Sequence, residues 1–247
     1  MSLPKIVAPT YEVKLFSRPA PVQFRPYLVK EEKLLLLAQQ SGDPKETKQA
    51  VNEIIKACTF DKVNGLALPS FDFELLMLQL RARSVNNLIE MQFECQNMVP
   101  TTTLVDGAPL RQCGANVPIT VDIDSIKLTV PDGHTNKIWL SETLGVELKY
   151  PTMELMDVSL EANTDILDVL VSCLNTIFTK DGTVYECKEQ TKPELVEFVE
   201  SLALPQIEKL RVFFDTLPSL THEFQFKCPK CNYEQLVTLK GFSDFFE

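Results

Sequence analysis

Helical and strand-like periodicities occupy separate stretches of this chain, and that segregation constrains the fold more than any single motif. After a strand-like start, helix-forming stretches run from Val29 to Ser84, apolar residues alternate between Leu88 and Tyr150, and helical spacing returns from Ile166 until the closing strands at His222. Interleaved βα units would mix the two periods, so the pattern predicts an α+β fold. We expect an N-terminal β-hairpin plus helices (1–87), a β-rich middle block (88–150), and a C-terminal helical block ending in a β-hairpin (151–247).

The local signals are specific. Tyr11–Leu15 and Val22–Phe24, joined by Ser17-Arg-Pro-Ala-Pro21, read as a hairpin. Val29–Gln40 reads as a helix ended by Gly42, and Asp43-Pro44-Lys45-Glu46 opens a second with a cap, a first-turn proline and a capping-box glutamate. A third helix, with a serine cap, is expected from Ser70 to Ser84. Val117, Ile119, Val121 and Ile123 alternate, and the alternation restarts out of phase at Ile126, which requires a bulge or tight turn at Asp124-Ser125. Asp122 and Asp124 are then expected on one outward strand face. The stripe Ile166, Val169, Leu170, Cys173, Leu174, Ile177 predicts one long helix. Thr191-Lys-Pro-Glu194 is another capping box, a further helix starts near Leu204, and His222–Cys228 and Tyr233–Leu239 form the closing hairpin.

The net charge of −10 gives no basis for gripping a phosphate backbone, so nucleic acid is not expected as a partner. The longest apolar run, Leu34–Ala38, is far short of the ~20 residues a membrane span needs. Met1–Lys5 shows no signal pattern, and seven mostly scattered cysteines fit a reducing cytoplasm better than a disulfide framework.

The sharpest chemical motif is Cys228-Pro-Lys-Cys231 between two strands. Two thiols on a β-turn form half of a zinc knuckle, and a structural zinc needs two more ligands. Cys95 and Cys113 are the best offers, each resembling half a knuckle in Cys95-Gln-Asn-Met98 and Cys113-Gly-Ala-Asn116. The alternatives are a tight turn with free thiols or a redox dithiol; the latter usually sits at a helix N-terminus. No cofactor is required on this reading, and structural zinc is the one candidate. Cys58 and Cys173 lie on apolar stripes and are expected in the core, and Cys187 on an edge strand has no assigned role.

His134, in a turn beside Thr135 and Asn136, is expected to cap a loop by hydrogen bonds, and His222 has no nucleophile near it in sequence. Phosphate loops, dinucleotide fingerprints, nucleophile elbows and metalloprotease motifs are missing from the sequence, so we expect neither an enzyme nor a small-molecule substrate. Interaction surface is left. Phe242, Phe245 and Phe246 crowd the end of the chain, and Phe24 with Arg25 marks a strand-to-helix corner; each suits either a core or a partner contact.

Five segments together carry a resemblance: Phe24-Arg-Pro-Tyr-Leu-Val-Lys-Glu-Glu-Lys33, Leu68-Pro-Ser-Phe-Asp-Phe73, Leu80-Arg-Ala-Arg-Ser-Val85, Lys149-Tyr-Pro-Thr-Met153 and Leu239-Lys-Gly-Phe-Ser-Asp-Phe-Phe246. In this order they resemble the baseplate hub proteins of T4-like contractile-tailed phages. The resemblance implies a non-enzymatic hub component or hub-assembly factor, a scaffold whose partners are other baseplate hub or tail proteins. It implies action in the host cytoplasm during assembly and, for a hub subunit, a place in the virion. A transient chaperone absent from the virion and a zinc-ribbon adaptor are the alternative expectations.

Overall fold

Strands β1 (Tyr11–Val13) and β2 (Val22–Phe24) form the expected antiparallel hairpin, with Tyr11 opposite Phe24. The structure is a computed structural model, and it describes residues 6–101, 110–155, 166–241 and 244. Helix α1 (Val29–Ser41) stops at Gly42, whose φ of 69° is the left-handed C-cap that glycine favours. Helix α2 (Pro44–Cys58) is capped by Asp43, whose carboxylate accepts a 2.8 Å hydrogen bond from the Lys45 amide. Helix α3 (Ser70–Ser84) lacks the expected serine cap: Pro69 takes the cap position, and the Ser70 amide donates to the Pro151 carbonyl at 3.3 Å. Val13, Leu15, Phe24, Ile55, Leu76 and Leu80 close the first core between hairpin and helices.

In the middle, β3 (Leu88–Glu94) pairs with β6 (Asn116–Asp122), and β4 (Met98–Pro100) with β5 (Leu110–Gln112). The phase slip is a 3-10 turn over Ile123–Ser125, followed by β7 (Lys127–Thr129). Asp122 and Asp124 therefore do not share a strand face. The Asp122 side chain caps the turn through the Asp124 amide at 3.0 Å, while Asp124 forks onto Arg83 of α3 at 2.8 and 3.2 Å.

Strands β8 (Lys137–Trp139) and β9 (Leu144–Leu148) leave the middle block to join β10 (Leu174–Thr179) and β11 (Val184–Glu186), in the order β11-β10-β9-β8. Helix α4 (Ile166–Cys173) is shorter than its apolar stripe predicts, because Leu174–Thr179 becomes a strand. Thr176, Ile177 and Phe178 are strand formers, and tertiary packing decides in their favour. Phe178 sits opposite Gly145, with its ring where a side chain at Gly145 would be, and meets the half-exposed Trp139 edge-on at 5.0 Å. Helix α5 (Lys192–Glu200) starts at the predicted box, the Thr191 amide donating to Glu194 Oε2 at 2.8 Å, and α6 (Leu204–Asp215) follows. Val146, Leu148, Leu170, Leu210 and Phe213 form the core between these helices and the sheet.

The closing hairpin, β12 (Ser219–Lys227) and β13 (Glu234–Lys240), returns to the middle block, where Ser219–Thr221 pair antiparallel with β7. Packing thus crosses the sequence segments 1–87, 88–150 and 151–247. Leu220 and Leu239 of the hairpin meet Leu78 and Ala82 of α3 together with Ile89, Val121 and Ile126 in a third core.

A polar and aromatic joint connects the first core to the second. Asp72 is fully buried, and its two oxygens accept hydrogen bonds from the amides of Phe16 (2.7 Å) and Ser17 (2.8 Å). Phe16, Phe71 and Tyr150 meet edge-on, with centroids 5.2 to 5.7 Å apart. The Tyr150 hydroxyl lies 3.1 Å from His134 Nε2, and Thr216 Oγ1 lies 2.9 Å from Nδ1. The ring of His134 stacks on Phe213 at 5.3 Å, and burial lowers its pKa. This is the hydrogen-bonding role expected of a turn histidine, with hydroxyl partners on both nitrogens.

Asp72→Asn keeps the shape but offers a single oxygen to two amides, so one part-buried N–H loses its partner; urea denaturation followed by circular dichroism should show a loss of about 1–3 kcal/mol. Glu31 is buried, with Oε1 2.8 Å from Arg25 Nη2 and Oε2 accepting the Leu28 amide at 2.8 Å. Desolvation raises its pKa, but the Arg25 hydrogen bond and charge, the Leu28 amide and Lys30 outweigh it, holding the carboxyl below its ordinary 4.5. The unfolded chain therefore binds this proton more readily, and the stability from ionised Glu31 is complete above pH 4.5 and lost as pH falls through the lower folded value. Glu31→Gln should cost about 2 kcal/mol at neutral pH, and its difference from the unmodified protein should shrink in denaturation curves taken below that window.

Candidate metal centre

Four cysteines stand at strand ends on one side of the middle module. Cys95 follows β3, Cys113 follows β5, Cys228 follows β12, and Cys231 lies in the turn leading to β13. Backbone hydrogen bonds fix the first two loops against each other: Cys95 N to Ala115 O at 2.9 Å, Cys113 N to Asn97 O at 2.8 Å, and Gly114 N to Cys95 O at 3.1 Å. In the hairpin turn, Cys228 N donates to Tyr233 O and Asn232 N to Cys228 O, both at 2.9 Å. Gly114 (φ 60°) and Asn232 (φ 56°) adopt left-handed backbone immediately after Cys113 and Cys231. Glycine, and asparagine next, tolerate that region best.

Those turns aim amides at sulfur. The backbone N–H groups of Asn97, Ala115 and Tyr233, each two residues beyond a cysteine, hydrogen-bond to the sulfurs of Cys95, Cys113 and Cys231. The side-chain amide of Asn97 donates to Cys231 Sγ at 3.6 Å, and Lys230 Nζ donates to the Cys113 carbonyl at 3.2 Å. All four sulfurs lie within 4.8 Å of one another, with Cys95–Cys231 at 3.6 Å and Cys113–Cys228 at 3.9 Å. Cys95, Cys113 and Cys228 are buried and Cys231 is partly exposed; Phe93, Val99, Val117 and Phe226 pack around them.

The electrostatics separate these thiols. At Cys231 the Tyr233 amide outweighs desolvation and, with Asn97 and the thiols of Cys228 and Cys95, brings the pKa down to about 6. At Cys95 the Asn97 amide lowers the pKa, but desolvation and the neighbouring sulfurs prevail and raise it to about 12. Desolvation likewise leads the rise at Cys113. A cation among the sulfurs would remove this mutual opposition by favouring the thiolate at every position. Cys58 and Cys173, the expected core residues, are buried apart from this group, and desolvation pushes each up to about 11.

The structure brings Cys95, Cys113, Cys228 and Cys231 together, a donor set and spacing able to hold a tetrahedral metal ion. Phe24 is wholly buried in the first core, and Arg25 is committed to Glu31 and the Pro26 carbonyl, so that corner takes the core alternative. Phe242, Phe245 and Phe246 lie outside the described residues. Two supports of the cluster, Asn97 and Lys230, were not singled out by sequence reasoning; their proximity in sequence to Cys95 and Cys231 was the available signal. Also missed was the outer face of α1, where Leu36 and Leu37 are exposed; four consecutive leucines exceed what one buried helix face accommodates.

No match was found among curated proteins or among solved structures. A family model described as T4 bacteriophage base plate protein matches residues 8–247, nearly the whole chain. The chain therefore belongs to the T4 bacteriophage base plate protein family, and its role lies in the phage baseplate.

Proposed function

We propose that this protein is a baseplate hub component or hub-assembly factor, acting in the host cytoplasm as a protein–protein scaffold with no catalysis of its own. The observation that carries this reading is the two-sidedness of α1. Glu31, Leu35 and Ala38, at helical spacing i, i+4 and i+7, face the body of the protein. Val29, Leu36 and Leu37 face away and are 80%, 52% and 55% exposed. An open groove of about 700 Å³ begins at Val29, lined also by Tyr27, Leu28 and Val85 together with Lys30, Glu32 and Ser84. Exposed leucines on a helix face, next to a groove with apolar and charged walls, suit contact with another protein.

Its partner on this reading is a baseplate hub or tail protein offering apolar side chains, since a baseplate protein functions by joining its neighbours. Nucleic acid is disfavoured by the net charge of −10. Among the described residues, no helix is long and apolar enough to cross a membrane. An autonomous zinc-ribbon adaptor fits less well, because the cysteine pairs are far apart in sequence, with a separation of 115 from Cys113 to Cys228.

The double variant Leu36→Glu, Leu37→Glu tests the surface. It should fold with nearly unchanged stability by circular dichroism, because both side chains already face water. Burying each leucine is worth about 1.5–3 kcal/mol, so co-purification with baseplate partners should weaken by about a hundredfold or more. Retention of full binding would remove α1 from the interface.

Quantitative mass spectrometry of mature particles separates the two roles. A hub subunit should occur at a fixed ratio to other tail proteins. An assembly factor, including a transient chaperone, should be abundant in the lysate and missing from particles.

A further inference from the structure

We propose that Cys95, Cys113, Cys228 and Cys231 hold a single zinc ion as four thiolates, and that this ion latches the C-terminal hairpin to the β3–β6 sheet. The distances carry the first part. Zinc bound to four thiolates at about 2.3 Å sets neighbouring sulfurs about 3.8 Å apart. Two cross-pairs here, at 3.6 and 3.9 Å, bracket that edge, and no pair exceeds 4.8 Å. A four-iron cluster places each thiolate on a different iron and needs a wider set. A disulfide needs sulfurs at about 2.0 Å, so either cross-pair would have to close substantially.

The surroundings point to anionic sulfur. Three of the four sulfurs receive a backbone amide from the residue two positions on, and Cys231 also receives the Asn97 side chain. Repetition of one local geometry on three separate turns matches the outer hydrogen bonds that orient thiolates and offset their charge at metal centres. Four thiolates around a divalent ion leave two net negative charges, and Lys230 stands beside the site on the Cys113 carbonyl. Each Zn–S bond forms as any proton on that sulfur passes to solvent, and no electron is transferred.

Sheet topology carries the second part. The β3–β6 pair and the β13-β12-β7 sheet are separate, with no ladder hydrogen bonds between them. At the end remote from β7 they meet through side chains, with Phe93 5.3 Å from Phe224 and 6.3 Å from Phe226 between ring centroids, and through the four sulfurs. Two ligands come from each side. The ion would bond together segments that otherwise meet here through side-chain packing and the two hydrogen bonds of Lys230 and Asn97.

Metal content of the full-length protein, purified under reducing conditions without chelator, is the direct test. Inductively coupled plasma mass spectrometry should find one zinc per chain. Cobalt exchanged into the site should give intense thiolate-to-metal charge transfer and the visible bands of tetrahedral cobalt. Cys113→Ser and Cys231→Ser should each lose that spectrum, while Cys58→Ser should keep it. Removing zinc should accelerate amide hydrogen exchange in β12, β13 and the turns after Cys95 and Cys113, leaving α4–α6 protected.

Folded protein with no zinc and no tetrahedral thiolate spectrum on cobalt titration would overturn the assignment. So would one iron per chain in place of zinc, or full zinc binding in the Cys113→Ser variant. Unchanged hairpin exchange after zinc removal would overturn the latch. The unmodified protein supplies the decisive readouts, so a variant that fails to fold leaves the proposal testable.

Discussion

Helix α3 is enclosed on several sides, and the arrangement of the chain depends on it. Leu76 and Leu80 enter the first core, whereas Leu78 and Ala82 enter the core made with the C-terminal hairpin. Phe71 meets Tyr150 at the joint with the second core, Asp72 holds the amides of Phe16 and Ser17, and Arg83 forks onto the turn that launches β7. A helix with apolar residues on opposing faces must be covered on each of them. Here the covers come from residues on both sides of it in sequence, so the N-terminal and C-terminal parts of the chain cannot pack independently. The middle module is finished only when β12 reaches β7.

That closure explains what was legible in the sequence and what was not. Caps and turns are local, so Gly42, Asp43 and the Thr191–Glu194 box mark boundaries that the structure reproduces. The hairpins at Tyr11 and His222 were similarly visible from alternation. Leu174 to Thr179 was not, because its apolar spacing serves a helix or a strand equally, and the deciding contact is Phe178 across Gly145 on a remote strand. The thiol cluster lies between these cases. Sequence spacing nominated its four members, but only the pairing of Ser219–Thr221 with β7, and the core behind it, brings the two halves to one place.

The same features account for how a baseplate protein with few glycines can present a defined surface. Helices α1 to α3 are braced from within by Arg25–Glu31, Asp72 and a continuous apolar core, while α1 keeps a leucine face in water. Preorganisation matters for assembly: a surface already fixed in its binding geometry loses less conformational freedom on contact. The phenylalanine corner at Phe24 contributes from inside, by holding the strand-to-helix turn that orients α1.

Trp139 is the sole tryptophan in the chain, and it belongs to β8, edge-on to Phe178 in the sheet covered by α4–α6. Intrinsic tryptophan fluorescence therefore watches that sheet alone. Loosening of the thiol cluster or fraying of α1 can proceed with little change in its emission. A fluorescence melt reports the stability of one core out of several, and agreement with a backbone probe is needed before the chain can be treated as a two-state folder.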